Sequence, residues 1–298
     1  MTDERSPAGE DAAVADSSAE RSDPSSGPDA SPTLAERLAQ RVEITLPTRH
    51  NPKLADIVDA VNRHDRLYAL WVAANTTAVD RLGMSDHGPV HVRIVANSAL
   101  RILRLLVAGG VVPNAVSDYG LEGEDAEIIV ALAALLHDVG MSIHRTGHEE
   151  FSLFVARPII DELLEPEYPE AIGTIVHSEI LHAIISHRSG GQPLTVEGGV
   201  LRVADALDMA GGRSRIPFTA GATGIHAVSA AAIERVAIDA GASKPVRIRV
   251  EMGNSAGVFQ VDELLRRKLK GSGLEPHVAV EAVVEAETET RLVQRFEF

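Results

Sequence analysis

Residues 131–148 read ALAALLHDVGMSIHRTGH. An apolar run leads directly into His137 and Asp138, and two more histidines, His144 and His148, follow shortly. The upstream text, EDAEIIVALAALLHDVG, is apolar on nearly every side of a helix, which marks a helix buried at the centre of a fold. Gly140 is read as closing that helix just past the His-Asp pair. Burying an imidazole and a carboxylate is unfavourable unless a compensating charge holds them. The stretch therefore predicts a central helix whose end delivers two polar groups to a charged partner.

Outward from this helix the text remains helical from about residue 33 to 215. Upstream, PKLADIVDAVNRHDRLYALWVAANTTAVDRLGM reads as one long amphipathic stretch, and PVHVRIVANSALRILRLLVAG follows with apolar residues at helical spacing. Downstream, HEEFSLFVARPIIDELL, YPEAIGTIVHSEILHAIISHR and EGGVLRVADALDMAG supply further helices. The pattern changes after Pro217. SAAAIERVAI runs from helix toward strand, PVRIRVEM alternates as a half-buried strand, VDELLRRKLKG is a short helix, and HVAVEAVVEA and RLVQRFEF are strands. The fold class is mainly α: a helical bundle over residues 33–217 followed by a small α+β domain over 218–298. Residues 1–32 carry eight acidic groups, two arginines and no aromatic residue, the composition of a disordered acidic tail.

The formal net charge of −15 argues against nucleic acid or an anionic membrane as partner. The chain has no cysteine, so any metal would be held by nitrogen and oxygen. Of the 28 basic residues only Lys53, Lys244, Lys268 and Lys270 are lysines. With neither a secretory pattern at the start nor an apolar run long enough to span a bilayer, the expected location is the cytoplasm.

The residues that carry chemistry form an ordered set: His91, His137 with Asp138, His148, His187 and Asp205. Four imidazoles and two carboxylates suit two divalent first-row metals, and a carboxylate can bridge a pair of ions. Paired ions clamp the oxygens of an in-line phosphoryl displacement and turn a bridging water into the nucleophile. Other histidines are set aside on geometry. His177, His182 and His187 are five residues apart, so each turns by about 140° from the last and they cannot all face one metal. Spacing alone does not say which of the three is a ligand, and His144 is left out because Thr146-Gly147 breaks the helix before His148. Arg188, Arg213 and Arg215 follow the ligand segments and are candidates to bind substrate phosphate. Asp208, three residues after Asp205, either orients a ligand histidine or caps the following GGR turn.

The order H…HD…H…H…D on helical text resembles the HD-domain superfamily of metal-dependent phosphohydrolases, over roughly residues 50–215, with LLHDVG and VADALD as the most specific pieces. The resemblance implies an HD-type helical bundle in which His91, His137, Asp138 and Asp205 hold one metal, with Asp138 bridging. His148 and His187 then complete a second site, His187 fitting the family position with His182 as the runner-up, and His137 and Asp138 are the catalytic candidates. It implies one or two divalent ions (Fe, Mn, Co, Ni, Zn or Mg) as cofactors and a small phosphorylated substrate, such as a nucleotide, cleaved at a phosphoester or phosphoanhydride by a metal-bound hydroxide. The AIISHRSGG context is similar to the six-ligand branch, which includes cyclic-dinucleotide phosphodiesterases and dinucleoside polyphosphate hydrolases. The glycine-tyrosine-proline motif of the former is replaced by Gly191-Gln192-Pro193, which counts against cyclic-di-GMP cleavage. Alternatives are a non-catalytic nucleotide-sensing module signalling through the C-terminal domain, and oxygen chemistry at a di-iron centre. The C-terminal domain has no catalytic set of its own and is expected to form a homodimer, cover the cleft or bind an effector.

Overall fold

The structure is a computed structural model that describes residues 32–188, 190–210, 229–284 and 295–297. Its helices are α1 (Leu34–Ala39), α2 (Pro52–Arg63), α3 (Asp65–Asn75), α4 (Pro89–Ala108), α5 (Asn114–Tyr119), α6 (Gly123–Leu136), α7 (His148–Leu164), α8 (Glu170–Ser186) and α9 (Val196–Ala206). A further helical run over residues 257–269, here α10, has a π-helical turn at Val261–Arg266. None of the described helices is long and apolar enough to cross a membrane.

The text EDAEIIVALAALL becomes α6, and every residue from Ile128 to Leu136 is buried. A helix apolar all round needs neighbours on all sides. It has them: α2, α4, α5, α7, α8 and α9 all pack against it. Trp71 on α3 closes one side of this core, its indole Nε1 donating to the Leu135 carbonyl at 2.8 Å. The long amphipathic stretch read as one helix is instead broken at His64, which ends α2 and caps α3. Its backbone is extended, and its Nδ1 accepts from the Leu67 amide at 3.1 Å while its Nε2 meets Glu162 at 3.1 Å. Neither glycine nor proline stands there, so the break comes from side-chain capping rather than a backbone restriction.

The described strands are β1 (Ile233–Ala240), β2 (Val246–Met252), β3 (Val278–Val284) and β4 (Arg295–Glu297), in spatial order β1-β2-β3-β4. β1 and β2 are antiparallel, whereas β2 and β3 are parallel, because the helical crossover α10 lies between them. In β2 and β3 alternate residues are buried, so one sheet face meets the core. Buried apolar residues of the sheet and of the helices join in one cluster, and Ala74, Ala78 and Met141 form a small separate one. Where α4 ends on the sheet, a Cβ at Gly109 would collide with the Pro245 ring.

An ion pair between buried Asp125 and half-buried Lys53 ties the start of α6 to its surroundings. Asp125 accepts from Lys53 Nζ at 2.5 Å, Tyr168 Oη at 2.7 Å and the Glu122 amide at 3.0 Å. Burial pushes its carboxyl pKa up, but these donors outweigh burial and leave it below the usual value. A carboxyl with a depressed folded pKa contributes stability that is present above its unfolded value and lost as pH falls through the folded one. Asp125→Asn is expected to cost about 2 kcal/mol near pH 7. Urea titrations should show that difference shrinking below about pH 4.

Candidate metal centre

Each of the six residues is delivered by a helix end or first turn. His137 and His187 are the residues immediately after α6 and α8, Asp205 lies in the last turn of α9, and His91 and His148 lie in the first turns of α4 and α7. The last carbonyls of a helix have no partner inside it. His137 Nδ1 donates to the Ala134 carbonyl at 2.8 Å, and His187 Nδ1 donates to that of Ile184 at 2.6 Å. The same imidazole thus satisfies a helix end and aims its other nitrogen forward. Three helix C-termini and two helix N-termini meet here, so the helix dipoles largely offset one another and the carboxylates set the preference for a cation.

The structure brings all six side chains together. His91, His137 and Asp138 form one group whose candidate ligand atoms lie within 4.8 Å of one another; Asp138, His148 and His187 form a second; and His137, His187 and Asp205 form a third. Asp138 Oδ2 is 3.3 Å from both His91 Nε2 and His137 Nε2, whereas its Oδ1 is 3.2 Å from His148 Nε2 and 3.9 Å from His187 Nε2. Asp205 Oδ1 lies 3.4 Å from His91 Nε2 and 3.6 Å from His137 Nε2. All are buried except Asp205, which is partly exposed.

Tautomers decide what this cluster can bind. Besides His137 and His187, His91 donates from Nδ1 to Asp208 Oδ2 at 2.8 Å. The structure thus places Asp208 as the partner that orients His91; the GGR turn lies outside the described residues. His148 Nδ1 faces two acceptors, the Arg145 carbonyl at 3.0 Å and Glu149 Oε2 at 3.1 Å, and one donor, Arg145 Nη1 at 2.8 Å. With protons on Nδ1, the Nε2 lone pairs converge together with carboxylate oxygens, and His91 Nε2 and His137 Nε2 stand 3.1 Å apart. Two lone pairs at that distance repel unless a positive charge lies between them. The donor set therefore fits divalent cations.

The carboxylates favour positive charge at this centre, on an imidazole as well as on an ion. Burial pushes the His137 pKa down, but Asp138 and Asp205 outweigh it and raise the value to about 10. His148 is likewise held up at about 9 by Asp138 and Glu149 against its burial. Asp138 stays well below the carboxylate range despite burial because His137 faces it. Asp205 does so because of Lys268 and the imidazoles. His187 goes the other way, to about 3, through burial and the nearby charges of His137 and Lys268.

The remaining candidates lie elsewhere. His144 is exposed and turns back to the Thr146 amide. His177 pairs with Asp161 at 2.7 Å, and His182 Nε2 accepts from the Leu194 amide at 3.0 Å. Arg188 points its guanidinium at Glu150, 2.6 Å away. Arg213 and Arg215 fall outside the described residues. Three residues at the cluster carry no motif that marks them in the sequence: Arg145 and Glu149 beside His148, and Lys268, whose ammonium contacts Asp205 Oδ2. Gly140 is not a left-handed helix cap. It sits in a 3₁₀ turn (Val139–Ser142) at ordinary φ, where a Cβ would strike the His148 carbonyl and the Ser152 amide nitrogen.

A family model described as the HD domain matches residues 90–210, a span that includes all six residues of the cluster. An uncharacterized protein of Methanocaldococcus jannaschii, MJ1020, is 43% identical over 236 residues, which cover 79% of this chain and 90% of that protein.

Proposed function

The chain belongs to the HD-domain superfamily of metal-dependent phosphohydrolases, and from that premise we propose that it hydrolyses a phosphoester or phosphoanhydride bond in a nucleotide or similar small substrate at a dinuclear metal site. The observation that carries this reading is Asp138. Its two oxygens divide between two pairs of imidazoles, His91 with His137 and His148 with His187. Asp138 would thus serve both groups of residues that would hold divalent cations. Bound there, divalent ions supply Lewis acidity for a phosphoryl oxygen and lower the pKa of a water to near neutrality.

The chain's own residues divide the remaining work. His91, His137, His148 and His187 present lone pairs while their Nδ1 atoms are anchored, so little reorganisation is needed as charge develops. Asp208 fixes the ring of His91. Arg145, exposed at the rim beside His148, is positioned to take a non-bridging phosphate oxygen of an incoming anion. In Arg188 the guanidinium is already engaged by Glu150, so a role in substrate binding requires that ion pair to open.

Elemental analysis of the purified full chain should find about two transition-metal ions per chain. A panel of nucleoside di- and triphosphates, dinucleoside polyphosphates, cyclic dinucleotides and nitrophenyl phosphate esters should show turnover with Mn²⁺, Fe²⁺ or Co²⁺. Metal-loaded protein that is thermally stabilised by a nucleotide yet turns over nothing would instead favour a sensing module.

A further inference from the structure

The side of α9 that carries Asp205 also carries Gly199 and Arg202, spaced three residues apart, and all three touch the segment that follows the π-helical turn of α10. At Gly199 a Cβ would collide with the Ser272 carbonyl oxygen, so the two backbones meet there without a side chain between them. Arg202, 3% exposed, donates from Nε to the Lys268 carbonyl at 2.8 Å and from Nη2 to the Arg267 and Lys270 carbonyls at 3.4 Å. Its Nη1 reaches the Arg188 carbonyl at 2.8 Å and that of Gly191, in the loop directly after His187. One guanidinium thus fixes the backbone on both sides of Lys268 and the loop behind a candidate ligand.

Lys268 is 9% exposed, and its ammonium rests on Asp205 Oδ2. The other oxygen of that carboxylate, Oδ1, faces His91 and His137. Lysine is among the residues least often buried, and this chain has only four. A compact ammonium can engage one carboxylate oxygen, whereas a guanidinium fork takes both. We propose that Lys268, supplied by the C-terminal part of the chain, is a positioning residue that confines Asp205 to a single metal-ligating oxygen and thereby keeps coordination positions open for substrate. The inference rests on the dinuclear hydrolase reading given above.

The test uses the full chain and variants at Lys268, each checked for a cooperative thermal melt. Mn²⁺ affinity is measured by chelator competition, and turnover with nitrophenyl phosphate and bis-nitrophenyl phosphate. In Lys268→Met both oxygens of Asp205 become available, so Mn²⁺ should bind about 10-fold more tightly while kcat falls about 10- to 100-fold. Lys268→Gln gives the same signs if the methionine variant folds poorly. Lys268→Arg should do the opposite to the metal, taking both oxygens and weakening Mn²⁺ binding by at least about 10-fold. A merely structural lysine would lower affinity in all three variants together with the melting temperature, and that result overturns the proposal. So does unchanged affinity and kcat. Wild-type protein that binds Mn²⁺ but hydrolyses nothing sinks the hydrolase reading alone, and the opposed affinity shifts of the Met and Arg variants still decide the role of Lys268. Wild-type protein that binds no metal overturns both.

Discussion

Asp138→Asn is expected to lose metal binding and at least about 10³-fold in kcat/KM, equivalent to about 4 kcal/mol of barrier. No other carboxylate among the described residues contacts all four imidazoles. One of its oxygens serves His91 and His137 and the other serves His148 and His187, so one substitution disturbs both groups. The effect on the fold is expected to be smaller than the effect on metal. Asparagine keeps the shape of aspartate, and its amide can still hydrogen-bond the surrounding imidazoles, so little packing is lost at 138. The metal-free variant should therefore melt within a few degrees of metal-free wild type. Wild type should gain about 2.7 kcal/mol of stability per bound ion at a metal concentration 100 times its Kd, and the variant should gain none. Differential scanning calorimetry with and without Mn²⁺ checks both halves. A variant that is still stabilised by metal would remove Asp138 from the bridging position.

Gly140→Ala is the second large effect, and it acts through packing. The added methyl would meet the His148 carbonyl and the Ser152 amide nitrogen, which are backbone atoms that no rotamer change can move. To make room, the start of α7 must retreat from the His137–Gly140 turn. That movement breaks the two bonds of Ser152 Oγ, which accepts from the Gly140 amide at 2.9 Å and donates to the His137 carbonyl at 2.6 Å. Overpacking contributes about 1–3 kcal/mol and unmaking buried hydrogen bonds a similar amount, so a loss of about 3–4 kcal/mol is expected. His148 is the first residue of the displaced helix, so the group formed by Asp138, His148 and His187 should weaken first. Metal titration of the folded fraction should show one tight ion remaining where wild type is expected to hold two. Retention of full stability and both ions would contradict the close contact.

Much of the helical architecture was legible because α6 announces itself. A run from Ile128 to Leu136 with no polar member has no solvent-facing solution, and its terminal His-Asp pair then has to lie inside. The alternation of VRIRVEM also identifies β2, since one face of a sheet on a core leaves a period of two. The break at His64 was not legible, because it depends on an imidazole folding back onto the Leu67 amide and reaching Glu162 on another helix. For the same reason Gly140 read as a cap, since a glycine required by close backbone approach looks identical in one sequence to a glycine required by its φ. At the site, the histidines and aspartates could be picked out of 12 histidines and 43 acidic residues because their order on helical text matches the HD-type pattern. Lys268 could not, because it lies 63 residues beyond Asp205 in a segment whose text, LLRRKLKG, reads as an ordinary solvated basic helix end. Only the docking of Gly199 and Arg202 on that segment turns the lysine inward.

The same docking sets a timetable for the growing chain. Asp205 is synthesised 63 residues before Lys268, an interval of roughly 3–13 s at ordinary elongation rates. Throughout it, α9 exists without the carbonyls that Arg202 grips and without the ammonium that Asp205 meets. The helices that carry the histidines are therefore made well before a contact that shapes their centre, and the site matures only once the segment carrying Lys268 has been added.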